Sequence, residues 1–86
     1  MAAPTPSTIT QPNPVIVDLT PLVFPRTILL RSGATNRAIK LSVDGGIEYF
    51  AVTYDAQSAT LLAVSVTAPA TTAQITGSTG DSWDII

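Results

Sequence analysis

The chain of 86 residues contains neither cysteine nor histidine, and only 12% of its residues are charged. Without cysteine it forms no disulfide, no thiolate nucleophile and no Cys-ligated zinc site. Without histidine it has no imidazole base, no Ser-His-Asp triad and no His-ligated metal. The chain has four Lys and Arg residues against six Asp and Glu residues, which is too few cations to bind nucleic-acid phosphates. No apolar run approaches the roughly 18–20 residues of a membrane span. We therefore expect a protein that is not an enzyme and that binds neither nucleic acid nor membrane.

The remaining polar residues form no recognisable catalytic or metal-binding set. Lys40 is the only lysine, so a Ser-Lys pair has a single possible base. Glu48 and an aspartate could imitate a glycosidase pair, but so small a domain has no insertion that would form a cleft. The aspartates lack EF-hand spacing, and aspartate in a turn usually caps its own backbone. These aspartates are Asp44, Asp55, Asp81 and Asp84. The sequence predicts no catalytic residue, no metal site and no cofactor.

The composition that is present favours β structure. Val, Ile and Thr supply 28 of the 86 residues, and their branched side chains fit a pleated strand better than a helix. Short apolar runs are separated by turn signals every 8–12 residues, which is typical of a small antiparallel β-sandwich or barrel. About seven short strands are expected: Val15–Leu19, Arg26–Arg31, Arg37–Val43, Ile47–Thr53, Thr60–Thr67, Thr71–Thr76 and Ser82–Ile86.

Proline divides the chain into an N-terminal arm, residues 1–14, and a single β domain, residues 15–86. Four prolines lie in the arm, where Ile9 is the only sizeable aliphatic residue. Proline lacks an N–H group and fixes φ, so the arm should be extended and unable to join a central ladder. The arm is then either a frayed tail or a segment that orders by lying across a neighbouring subunit. We expect the domain to fold without the arm and to need the arm for self-association or lattice binding.

A turn of three residues, Asp44, Gly45 and Gly46, is the strongest hairpin signal in the chain. A loop of two residues would place Glu48 among aliphatic side chains, so the three-residue loop is preferred. It puts Gly46 in the left-handed conformation, where a Cβ atom is penalised. The cross-strand pairs expected from this loop are Val43 with Ile47, Leu41 with Tyr49, and Ile39 with Ala51, all facing the core.

The strand after this turn is apolar on both faces. Phe50, Val52 and Tyr54 follow Glu48 at two-residue spacing, where a solvated face would be polar. They lie either under the N-terminal strand or a loop, or in an exposed patch that meets a neighbouring subunit. Ile86 at the end of the sequence raises the same question. With so few charges and so small a core, these four interface candidates predict a homo-oligomer, a dimer or trimer, mounted on a larger protein surface.

Two segments of the chain, RAIKLSVDGGIEYF (Arg37–Phe50) and TAPATTAQITGSTGDSWDII (Thr67–Ile86), form a recognisable pattern. It consists of a strand, Asp-Gly-Gly, an aromatic strand, and a closing Gly-x-x-Gly-Asp-x-Trp strand. In this pattern the chain resembles small β-rich accessory structural proteins of tailed-bacteriophage virions. The resemblance implies a non-enzymatic head-decoration or other capsid-accessory protein, located in the virion and assembled in the bacterial cytoplasm. It transfers no functional residue, because the shared positions are turn and core positions.

A carbohydrate-binding or adhesin-type β module is the alternative interpretation. Trp83 and Tyr54 would then be exposed and would stack on sugar rings. Trp83 in a terminal strand more often fills the core. The two interpretations differ in whether the working form is a lattice-bound oligomer or a monomer that binds glycans.

Overall fold

A computed structural model describes residues 7–9 and 14–86, and within them the chain is an all-β protein of two antiparallel sheets. The expected fold class, a small antiparallel β-sandwich, is confirmed. The described residues form nine strands. They are β1 (Ser7–Thr8), β2 (Val15–Asp18), β3 (Arg26–Arg31), β4 (Ala38–Ser42), β5 (Phe50–Ala51), β6 (Ala56–Gln57), β7 (Leu61–Val66), β8 (Thr72–Thr76) and β9 (Ser82–Ile85).

The strands of four or more residues alternate between the two sheets along the chain. The first sheet has the order β1-β9-β3-β7-β6, and the second has the order β2-β8-β4-β5. Because consecutive long strands lie in different sheets, several loops cross from one layer to the other at the ends of the sandwich. Residues 52–55 make such a crossing along the side, between β5 and β6.

The core lies between the sheets and is almost entirely aliphatic. Residues on β3 pair with residues on β7, and residues on β4 pair with residues on β8, so that alternate positions face inward. The buried positions on these four strands are Ile28, Leu30, Leu62, Val64, Val66, Ile39, Leu41, Ala73 and Ile75. The outward positions on β4 and β8 are mainly polar, whereas those on β3 and β7 include Leu29 and Leu61.

The hairpin after β4 differs from the expected one. Leu41 pairs with Phe50 rather than with Tyr49, and residues 43–49 form a seven-residue loop. Val43 and Ile47, which alternation assigned to the core, are 49% and 82% exposed. The predicted register is therefore wrong, and the strand expected over Ile47–Thr53 is reduced to Phe50–Ala51. The left-handed conformation of Gly46 is confirmed, with φ +95°, and Gly45 shares it at +77°.

Part of the segment assigned to the arm belongs to the domain. Ser7 and Thr8 pair with Trp83 and Ser82 of β9, and Ile9 is fully buried in the core. The amide of Ile9 donates to the carbonyl of Asp81 at 2.7 Å. The boundary drawn after Pro14 therefore does not coincide with the edge of the core, and the expectation that the domain folds without residues 1–14 is revised. Residues 1–6 and 10–13 of the predicted arm lie outside the described residues.

Candidate interaction surface at one end of the sandwich

Three loops meet at one end of the sandwich, here called the loop end. They are residues 19–25 between β2 and β3, residues 43–49 between β4 and β5, and residues 67–71 between β7 and β8. The strand registers place these loops together, because Asp18 and Ser42 both flank Thr72 in the second sheet. Residues 32–37, 58–60 and 77–81 lie at the opposite end.

Thr71 connects the three loops of the loop end. Its carbonyl accepts from the amide of Leu19 at 2.9 Å, and its amide donates to the carbonyl of Ser42 at 2.8 Å. Its hydroxyl oxygen accepts from the amide of Gly45 at 3.0 Å. Each loop is thus anchored to the same residue, which gives the loop end a defined shape rather than three independent loops.

Two side chains organise the loop of residues 43–49 from within. The Ser42 hydroxyl, fully buried, donates to Asp44 Oδ1 at 2.6 Å and accepts from the amide of Gly46 at 2.9 Å. Asp44 Oδ1 also accepts from the amide of Glu48 at 3.1 Å. These bonds satisfy backbone amides that a tight hairpin would have directed at the opposite strand. They are the physical reason for the wide loop, since local side-chain acceptors compete with a β ladder.

The exposed large hydrophobic side chains of the described residues concentrate at the loop end. Ile47 and Val23 are the most exposed, at 82% and 75%. The full set is Ile16, Val23, Val43, Ile47, Phe50 and Ile86. Val23, Val43 and Ile47 lie in the loops, Phe50 begins β5 directly after one of them, and Ile86 pairs with Thr27 near the start of β3. Among the described residues, the opposite end has no large hydrophobic side chain of this exposure.

An open depression adjoins the loops on the side of β2. Its volume is about 440 Å³, and its lining is mixed, with one aliphatic side chain among hydroxyls and a carboxylate. The lining residues are Ile16, Asp18, Thr20, Gly45, Thr71 and Thr72. Ile16, half exposed, therefore extends the apolar surface of the loop end onto the outer face of the second sheet.

The loop end is also the acidic part of the molecule. It carries the exposed carboxylates of Asp18, Asp44 and Glu48, and one cation, Arg26, whose Nε donates to the carbonyl of Val23 at 2.7 Å. Three negative charges and one positive charge give this end −2, the formal net charge of the whole chain. The other three acidic and three basic residues of the chain cancel.

Hydrogen bonds keep two of these carboxylates ionised. The amide of Thr20 donates to Asp18 at 3.0 Å, and this bond, with that from the Thr20 hydroxyl, lowers the pKa of Asp18. The Ser42 hydroxyl is the main cause of the lowered pKa of Asp44, with the amide of Glu48 second. Both side chains are therefore negatively charged throughout the neutral and mildly acidic range.

The four interface candidates from the sequence do not form one patch. Phe50 is 46% exposed and Ile86 is 50% exposed, so both present apolar surface. Val52 and Tyr54 are half-buried and pack against the core, and the Tyr54 hydroxyl accepts from the amide of Ile39 at 3.2 Å. The pairing of Phe50 with Leu41 puts it on the inward side of the sheet edge rather than on the outer face.

The two aromatic residues of the carbohydrate interpretation are both half-buried. Trp83 pairs with Leu30, packs against the core and points to the inner side of the first sheet. Its Nε1 is buried and has no hydrogen-bond partner among the described residues. Trp83 lies on β9, whereas Tyr54 lies in the crossing of residues 52–55, and neither side chain is fully exposed.

Among residues 7–9 and 14–86, no group of three or more acidic side chains is close enough to hold a metal ion. This part of the chain also contains no helix of the length and hydropathy needed to cross a membrane. Comparison of the chain with protein-family models, with curated proteins and with solved structures gives no match. The candidate function therefore depends on the geometry and chemistry of the surface.

Proposed function

We propose that the chain is a non-enzymatic structural subunit of a phage virion, a head-decoration or capsid-accessory protein that binds a protein lattice by its loop end. The observation that carries this proposal is the concentration of exposed aliphatic side chains at that end, with Ile47 82% and Val23 75% exposed. Exposed apolar clusters of this kind are typical of protein–protein contact sites. The resemblance of Arg37–Phe50 and Thr67–Ile86 to virion accessory proteins supplies the class of lattice.

The proposal includes assembly in the host bacterial cytoplasm and self-association. The small size of the domain and its low content of charged residues favour self-association, because a small domain gains stability by burying surface against a second or third copy. A homo-oligomer, dimer or trimer, would use a surface away from the loop end and leave that end free for the lattice.

Particle composition tests the proposed function. Virions purified from a culture of the encoding phage should contain the chain in a constant number of copies per capsid, measured by quantitative mass spectrometry. Particles from a phage deleted for the gene should lack it and regain it when the purified protein is added. Presence of the chain in the lysate but not in purified particles would contradict the proposal. Binding of the monomer to a glycan array, with no binding to particles, would favour the carbohydrate interpretation.

A further inference from the structure

We infer that the loop end docks on a partner protein whose surface is apolar and bordered by lysine or arginine side chains, and not on a second copy of this chain. The inference rests on the proposed function and specifies the partner surface. Its first basis is the composition of the loop end, where Val23, Val43 and Ile47 are exposed beside the carboxylates of Asp44 and Glu48. An apolar centre with charges at its border is the usual anatomy of a protein interface.

Charge complementarity selects the partner. Asp18, Asp44 and Glu48 outnumber the one cation of the loop end, Arg26, whose guanidinium is engaged with the carbonyl of Val23. An approaching surface with basic residues would neutralise these carboxylates and would be attracted to them at long range. Both Asp18 and Asp44 are held in the ionised form by hydrogen bonds to Thr20 and Ser42, so this complementarity is present at neutral pH.

A second copy does not meet these requirements in either arrangement. Two loop ends packed against each other about a two-fold axis would bring like charges together, which opposes association. A head-to-tail contact would place the loop end on residues 32–37 and 77–81. The cation of that end, Arg37, donates to the carbonyl of Ser32 at 2.9 Å, and among the described residues that end exposes no large aliphatic side chain to match Ile47. Neither end of a second copy fits the loop end, and the partner that we assign is a different protein.

The hydrogen-bonded framework makes the surface suitable for a rigid docking mode. Thr71 fixes all three loops, and the Ser42 hydroxyl fixes the turn at Gly46. A surface that is already ordered loses less conformational entropy on binding. Less of the free energy gained by burying an exposed side chain such as Ile47 is then offset by the cost of ordering the loops, and the affinity is higher.

The test measures binding of purified protein to particles of the encoding phage that lack the gene, at several salt concentrations. Ile47→Asp should reduce affinity by about tenfold or more, since Ile47 is the most exposed large hydrophobic side chain of the described residues. Glu48→Lys should also weaken binding, with Glu48→Gln intermediate, and the affinity of the unsubstituted protein should fall with added salt. The matched control is Thr35→Asp, which adds the same carboxylate at an exposed position of the opposite end and should bind as the parent protein does.

The outcomes separate the inference from the function on which it rests. If the parent protein binds the particles but Ile47→Asp and Glu48→Lys bind equally well, the inference is overturned while the proposed function stands. If the parent protein does not bind the particles, both are overturned. If Ile47→Asp instead lowers the mass of the free protein in sedimentation equilibrium, the loop end is a contact between copies and the inference is wrong. Circular dichroism of each variant establishes that the fold is retained.

Discussion

Ile9→Ala tests whether the N-terminal segment is part of the core. Ile9 is fully buried, its amide donates to Asp81, and its Cδ1 lies 2.8 Å from the position of a Cβ atom built on Gly77. Truncation of a buried isoleucine to alanine costs about 2–5 kcal/mol, from lost burial and the cavity that remains. A domain of this size has a free energy of unfolding of roughly 4–11 kcal/mol. The substitution should therefore remove a large part of the stability of the protein.

The assay is urea unfolding followed by far-ultraviolet circular dichroism, which reports on all strands. Ile16→Ala is the matched control, because Ile16 is the same residue type on β2 but is 54% exposed. Ile16→Ala should lower the free energy of unfolding by about 1 kcal/mol or less. The melting temperature of Ile9→Ala should fall by roughly 4–8 °C for each kcal/mol lost. If Ile9→Ala costs no more than Ile16→Ala, Ile9 is not a core residue and the revised boundary of the domain is wrong.

Three further predictions follow from the turns and the carboxylates. Gly46→Val should destabilise by more than about 1 kcal/mol in urea unfolding, because its φ is +95° and its Cβ would lie 2.9 Å from the Tyr49 hydroxyl. Gly45→Ala should destabilise the protein less, since its Cβ would meet no atom within 4 Å. Equal losses of stability for the two substitutions would contradict the geometry. Gly77→Ala should lower the free energy of unfolding by about 1–3 kcal/mol, because the added Cβ would overpack against Ile9. An unchanged midpoint of urea unfolding would show that this contact is loose. The three aspartates with lowered pKa values (Asp18, Asp44 and Asp81) stabilise the fold above their unfolded pKa of about 3.9. Stability should hold from neutral pH to about 5 and fall as the pH drops through the lowered folded values. Ser42→Ala should make this loss of stability at acidic pH smaller, because the Ser42 hydroxyl lowers the pKa of Asp44. An unaltered dependence of stability on pH would contradict that role of the hydroxyl.

Strands that alternate regularly were predictable from the sequence. Arg26–Arg31 has the predicted bounds, and β4, β7 and β8 lie within one or two residues of theirs. Each has apolar residues at every second position facing a core, and this pattern overrides other preferences. The left-handed glycine at position 46 was equally predictable, because no other residue type tolerates that conformation so readily.

The register of the β4–β5 hairpin was not predictable from alternation. Val43 and Ile47 have the spacing of core residues, yet side-chain hydrogen bonds from Ser42 and Asp44 widen the loop and expose them. Ile9 was missed for the opposite reason. It is a lone aliphatic residue among prolines, and its burial depends on tertiary contacts with β9 and Gly77 rather than on a local pattern.

The candidate surface was predictable only in part. Phe50 and Ile86 were two of the four interface candidates, for which the sequence left open burial under other segments or exposure, and both are exposed in the structure. Asp44 and Glu48 are close in sequence. Val23 was missed, although its position between Pro21 and Pro25 indicates an aliphatic residue that cannot join a strand. The meeting of residues 19–25 with residues 43–49 depends on the pairing of β2 and β4 with β8, which the sequence does not reveal.

The orientation of the protein on the virion tests the central proposal most directly. A cryo-electron microscopy reconstruction of particles carrying the chain should place residues 19–25, 43–49 and 67–71 against the lattice, with the side chain of Ile47 buried in the contact and lysine or arginine residues of the lattice near Glu48. Residues 32–37 and 77–81 should face away from the lattice. A reconstruction in which the loop end faces solvent and the opposite end makes the contact would contradict the account.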